Sequence, residues 1–139
     1  MRIHIINGPN LNLLGTRQTE YYGTDTWDEI LIGLKERFSG IELTAFQSNH
    51  EAQIIDELQR IDELVDAVVL NAGAYTHTSL AIADSIAALG TPVVEVHMSN
   101  VYQREEVRHH SMIAEHCIGS ITGFGADSYA LAILAFIKT

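Results

Sequence analysis

Three short, largely apolar runs end abruptly in asparagine or histidine. Residues 3–6 pass into Asn7-Gly8-Pro9-Asn10, residues 67–70 into Asn71-Ala72-Gly73, and residues 93–96 into His97-Met98-Ser99-Asn100. Such runs suit strands buried on both faces. The polar clusters behind them are not core; they mark the points where strands end. The middle one continues through Tyr75, Thr76, His77, Thr78 and Ser79. In an open α/β sheet, ligands bind outside the carboxyl ends of the strands.

Helical periodicity fills the intervals. Thr26 with Glu29 makes a capping box. Trp27, Ile30, Leu31, Leu34 and Phe38 follow at helical spacing, which predicts a helix over 27–38 ended by Ser39-Gly40. Residues 41–46 read as a strand. Ser48 with Glu51 makes a second capping box, opening a helix that carries Ile54, Ile55, Leu58 and Ile61 on one face. A third helix over 79–89 closes at Gly90, ahead of Pro92. A short helix is expected around 104–110, a short last strand over 117–121, and an almost wholly apolar terminal helix over 127–137. Strand and helix alternate five times without repeat, linker or low-complexity tract, which predicts one domain over 1–139. The fold class is α/β: a doubly wound sandwich, with helices on both faces of a five-stranded parallel sheet. Right-handed crossovers leave few topologies. The simplest is the flavodoxin-like order 2-1-3-4-5. In that order strands 1, 3 and 4 are neighbours, and their polar exits converge on one crevice.

Composition narrows the partners. The net charge of −10 argues against nucleic acid and anionic membrane, both of which need a basic face. It leaves room for a small anion. Arg17, Arg104 and Arg108 lie in or just after the polar loops that also carry His77 and His97, so a local anion site is expected in an acidic protein. The single cysteine, Cys117, rules out a disulfide within the chain and suits a reducing compartment. A lone cysteine in apolar context is more often a small buried hydrophobe than a nucleophile. Neither a secretory leader nor an apolar run of the roughly 20 residues that span a bilayer is visible, so a cytoplasmic location is expected.

Elimination then narrows the chemistry. His77 and His97 lack the partner spacing of a metal site, and His109 and His110 do not share a helix face. Neither a GxGxxG turn nor a Walker lysine follows the first strand. Imine chemistry needs a lysine in the site, and Lys35 and Lys138 are the only lysines, one on a helix face and one at the C-terminus. Acid–base chemistry remains, with no cofactor expected. The loop over 7–22 is long enough to be functional. It carries Tyr22 five residues after Arg17. A free tyrosine has a pKa of about 10; bringing it near neutrality takes about 4 kcal/mol of differential stabilisation, which close guanidinium groups in a dry site can supply. His97, beside Glu95, is a candidate general acid.

Four stretches resemble the type II 3-dehydroquinases (3-dehydroquinate dehydratases): NGPNLNLLGTR with Tyr22-Gly23, the run from Gln47 to Glu51, LNAGAYTHTS ending at Ser79, and EVHMSNVYQREEVRHHS ending at Ser111. They occur in order, at the right spacing, across nearly the whole chain. The resemblance implies a flavodoxin-like fold, a dodecamer built from trimers, and anti elimination of water from 3-dehydroquinate to give 3-dehydroshikimate through an enolate. It implies Tyr22 as base, Arg17 as the group that lowers its pKa and helps position a lid, and His97 as acid, oriented by Glu95. Asn10 would stabilise the enolate. Asn71, His77, Arg108 and the backbone at Met98-Ser99 would hold the substrate. Asp84 would reach a neighbouring subunit's site, and Arg104 matches a lid position. Gln18-Thr19 departs from the family's common Glu-Pro. Tyr21 rivals Tyr22, but Tyr22 directly precedes Gly23, as the family's catalytic tyrosine does. Two other readings are a non-catalytic flavodoxin-like module and a lyase acting on a related cyclic polyol acid. A receiver module would need an acidic cluster where Asn7-Gly8-Pro9-Asn10 stands.

Overall fold

A computed structural model describes residues 1–16 and 18–137. The strands β1 (Arg2–Asn7), β2 (Glu42–Gln47), β3 (Ala67–Asn71), β4 (Val93–His97) and β5 (Gly119–Thr122) form one sheet. All neighbours are parallel, in the order β2-β1-β3-β4-β5, as expected. The helices are α1 (Thr19–Tyr22), α2 (Trp27–Arg37), α3 (Glu51–Ile61), α4 (Leu80–Ala88) and α5 (Asp127–Ile137). Among the described residues, no helix is long and apolar enough to cross a membrane.

Strand pleating sorts the core into two layers, because alternate side chains face opposite sides. Ile3 and Ile5 of β1 join Val69, Val94 and Val96 against Ile30 and Leu34 of α2 and Tyr129, Ile133 and Phe136 of α5. On the other face, Ile6, Val68, Leu70 and Val93 pack against Ile54, Leu58 and Ile61 of α3 and Ile82 and Ile86 of α4. Ile5, Val69 and Leu70 are fully buried. Truncating one such side chain to alanine costs about 2–5 kcal/mol.

Local signals differ in how they play out. The Thr26 capping box forms: the Thr26 hydroxyl accepts from the Glu29 N–H, and the Glu29 carboxylate accepts from the Thr26 N–H. The Ser48 box does not. The Ser48 N–H donates to the Asn7 carbonyl, so Ser48 is still held by the sheet. Helix α3 therefore starts later, with His50 as its N-cap, and the Ser48 hydroxyl instead donates to Gln53 and accepts from the His50 N–H. The short helix expected around 104–110 is a 3-10 turn, Glu106–His109, with another, Val101–Gln103, ahead of it. The last strand begins two residues later than expected.

The exits of β1 and β3 cross closely. The Gly8 N–H donates to the Asn71 carbonyl at 2.7 Å. A Cβ at Gly8 would lie 2.5 Å from the Ala72 carbonyl oxygen, so only glycine fits without moving backbone. Gly33, inside α2, has open space around its missing Cβ. Gly8→Ala is expected to lower stability by about 2 kcal/mol through overpacking. Gly33→Ala is expected to raise it by about 0.5–1 kcal/mol. Urea unfolding midpoints of the two variants check this; equal midpoints would refute the crossing as a constraint.

Candidate active site

The carboxyl ends of β1, β3 and β4 open into a cleft of about 630 Å³, counting its mouth. Asn10, Tyr22, Asn71, His77, His97, Met98, Ser99, Arg104 and Arg108 all line it. The first wall is the loop after β1. Leu11 and Leu14 are buried and anchor it to the core. Asn10 adopts a left-handed backbone (φ 68°) at the start of the turn Leu11–Leu13, a conformation asparagine tolerates better than most residues. Its N–H donates to Asn49 Oδ1 at 3.0 Å, and the Gln47 amide donates to the same oxygen and to the Gly8 carbonyl.

Tyr22 ends α1, half-buried, with its ring packed against the core. Its phenolic oxygen accepts a hydrogen bond from Arg104 Nη1 at 2.7 Å. The Arg104 guanidinium also lies over the Tyr21 ring, 4.5 Å from its centroid, at cation–π distance. Tyr21 is exposed and is not part of the cleft lining. Arg104 Nε is buried and has no partner among the described residues. Arg17, expected beside Tyr22, lies outside the described residues.

The second wall is the end of β4. Glu95 and His97 sit two apart on one strand face, and His97 Nε2 meets Glu95 Oε1 at 2.7 Å. Glu95 is 2% exposed and also accepts from the hydroxyls of Ser111 (2.8 Å) and Ser120 (2.7 Å). Burial pushes its carboxyl up, but the hydrogen bonds from His97, Ser120 and Ser111 and the His97 charge outweigh burial and hold it below the ordinary carboxylate value. An ionised Glu95 accepts from Nε2–H, which leaves Nδ1 as the ring nitrogen of His97 without a partner among the described residues. His77 stacks on His97 with centroids 6.0 Å apart, and its Nδ1 meets the His110 carbonyl at 2.8 Å. Burial holds His77 below the ordinary imidazole value, against the pull of that carbonyl. A phenolic oxygen held by a guanidinium and an imidazole held by a carboxylate thus share one cleft. Such a pair can remove a proton and supply one.

The remaining residues fall as follows. Met98 and Ser99 are buried just beyond β4, with the Ser99 carbonyl accepting from the Thr122 hydroxyl. Arg108 pairs with Glu105 across one turn. Asn71 is buried, and its side chain bonds Gly73 N–H and the Tyr129 hydroxyl. Asp84 is exposed on α4 and is not part of this chain's cleft lining. Lys35 is exposed on α2, and Lys138 lies outside the described residues. Burial and then the Glu95 charge push the Cys117 thiol up to about 12, so it stays protonated. Among the described residues, no three His, Cys, Asp or Glu gather as a metal-holding group. Sequence reasoning gave no role to Gln47, Asn49, Ser111 or Ser120, although all but Ser120 stand inside the quoted motifs. It read Tyr129 only as part of an apolar helix.

Comparison with known proteins identifies the family. The family profile described as Dehydroquinase class II matches residues 1–137. A 3-dehydroquinate dehydratase of Exiguobacterium sp. is 52% identical, over 99% of this chain and 95% of its own length. One from Carboxydothermus hydrogenoformans is 49% identical, over 99% of this chain and 90% of its own. The crystal structure of the type II dehydroquinase from Butyrivibrio crossotus superposes with a TM-score of 0.96 at 42% identity, covering 99% of this chain and 98% of that one. With the match running from the first strand to the last helix, the chain belongs to the class II dehydroquinase family.

Proposed function

We propose that this chain is a 3-dehydroquinate dehydratase that eliminates water in the anti sense, through an enolate and without cofactor, to give 3-dehydroshikimate. The observation that carries the reading is the Arg104–Tyr22 hydrogen bond in the same cleft as the His97–Glu95 pair. Tyr22, as phenolate, takes the proton α to the substrate ketone, and the C–H electron pair becomes the enolate. Arg104 donates to the phenolic oxygen and supplies a positive charge where the phenolate forms; Arg17 shares that task. The enolate then collapses to a carbon–carbon double bond and expels the β-hydroxyl, which leaves as water with a proton from His97. The Glu95 carboxylate offsets the positive charge of protonated His97 and fixes the ring. Asn10 stabilises the enolate.

His77, Asn71, Arg108 and the backbone at Met98 and Ser99 hold the substrate's hydroxyls and carboxylate. The protein works as a single catalytic domain in a dodecamer built from trimers, where Asp84 serves a neighbouring cleft. The reaction belongs to the shikimate route to aromatic amino acids, in the cytoplasm.

Purified protein, treated with a chelator and mixed with 3-dehydroquinate, should generate the product's conjugated enone absorbance. Borohydride added with substrate should leave that activity intact. Absence of turnover at every pH would sink the reading. Tyr22→Phe is expected to lower kcat by about 10²–10⁴-fold with an unchanged unfolding midpoint, and Arg104→Met and Arg17→Ala by about 10²-fold. A fully active Tyr22→Phe would remove the base. Glu95→Gln is expected to lower kcat by about 10²-fold. The depressed folded pKa of Glu95 means its contribution to stability is present above the ordinary carboxylate value of about 4.3 and is lost as pH falls through the lower folded value. The loss of stability from pH 5 to pH 3 should therefore be smaller in Glu95→Gln than in wild type; parallel profiles would refute this.

A further inference from the structure

Tyr129 has no exposed surface, yet it carries a hydroxyl into the boundary between the two strand exits. It sits on α5, its ring braced by Trp27 at a centroid distance of 5.0 Å. The hydroxyl accepts from Asn71 Nδ2 at 2.9 Å and donates to Asn7 Oδ1 at 2.8 Å. Asn7 Nδ2 is buried and has no partner among the described residues, so the Tyr129 hydroxyl is what secures that amide. Asn71 Oδ1 in turn accepts from the Gly73 N–H at 3.2 Å. Burial pushes the Tyr129 hydroxyl far up, against the pull of Asn71 and Asn7, so it stays neutral and keeps the proton it donates.

These bonds determine which way the Asn71 amide points. Its oxygen is tied to Gly73 and one Nδ2 hydrogen to Tyr129. A flipped amide would set its NH₂ against the Gly73 N–H. Among the described residues the other Nδ2 hydrogen has no partner, on a residue that lines the cleft. We propose that Tyr129 is a positioning residue, whose hydroxyl fixes the Asn71 amide so that the cleft wall presents a hydrogen-bond donor to an oxygen of the bound substrate. The inference rests on the reading of this cleft as the substrate site. The terminal helix, remote in sequence from every quoted motif, thereby takes part in substrate recognition through a relay of two buried hydrogen bonds. A buried amide that loses its partner is costly to leave in place, so removing the hydroxyl frees Asn71 to reorient.

Tyr129→Phe keeps the ring and removes only the hydroxyl. In the full-length enzyme, kcat/KM for 3-dehydroquinate is expected to fall roughly tenfold, the scale of one neutral hydrogen bond, chiefly through KM. On an Asn71→Ala background the same substitution is expected to change kcat/KM by less than about twofold, because the group it acts through is gone. Equal losses in both backgrounds, no loss in either, or a loss confined to kcat would overturn the proposal. If the wild-type protein does not turn over 3-dehydroquinate, the function reading falls instead. The relay is then judged by the urea midpoints of the same four proteins: non-additive losses support it, and additive losses overturn it.

Discussion

One backbone hydrogen bond, from Gly8 to the Asn71 carbonyl, extends the pairing of β1 and β3 beyond the last ladder pair and holds the two polar exits together. The approach is so close that no side chain fits at Gly8. Pro9 then leans on Gly73, whose missing Cβ would sit 3.3 Å from the proline ring and carbonyl oxygen. Asn10 and Asn71 consequently stand on opposite sides of one seam. Without it, two loops of the same composition would be separate surface turns, and the cleft would lose a wall. The core supplies rigidity on both faces of the sheet, but the seam turns rigidity into a position.

Charge is handled locally in a protein that is acidic overall. The anionic Glu95 is buried, yet three donors converge on it, which is how a buried carboxylate is retained at tolerable cost. On the far wall Arg104 has one nitrogen on the Tyr22 oxygen and its plane over Tyr21. The stacked aromatic ring gives the guanidinium a fixed seat without neutralising it. An acidic exterior and a cationic cleft wall coexist because Arg104 and Arg108 are placed beside the cleft by short turns, while Arg37 and Arg60 stand apart from it on α2 and α3.

The legible parts of the sequence were those where one residue type admits one use. The strand runs and the helix faces gave the alternation of strand and helix, and right-handed crossovers then left 2-1-3-4-5 as the simplest order. Thr26 and Ser48 had the same local signature, but only Thr26 became a cap. Ser48 was already committed to the sheet through its backbone, a long-range bond that no local pattern reports. Glu95 was legible as the neighbour of His97, since spacing of two on a strand places both on one face. Ser120 was not, because its part depends on strand register. Tyr129 looked like one more apolar position in an apolar helix; its hydroxyl matters only because β1 and β3 both deliver an asparagine to the same depth. Arg104 was visible as a candidate, but its pairing with Tyr22 spans 82 residues of chain.

The register of β5 against β4 sets Ser120 opposite Glu95 and Thr122 opposite His97. Both hydroxyls reach back into the site, one to the Glu95 carboxylate and the other to the Ser99 carbonyl. A slip of one residue would turn both hydroxyls to the opposite face of the sheet. The edge strand, the least protected part of a sheet against mispairing, is thus checked by the hydrogen bonds it delivers to the cleft. A molecule with β5 out of register would keep most of its core and lose the Ser120 hydrogen bond to Glu95, so the buried carboxylate doubles as a proofreading mark for the edge strand.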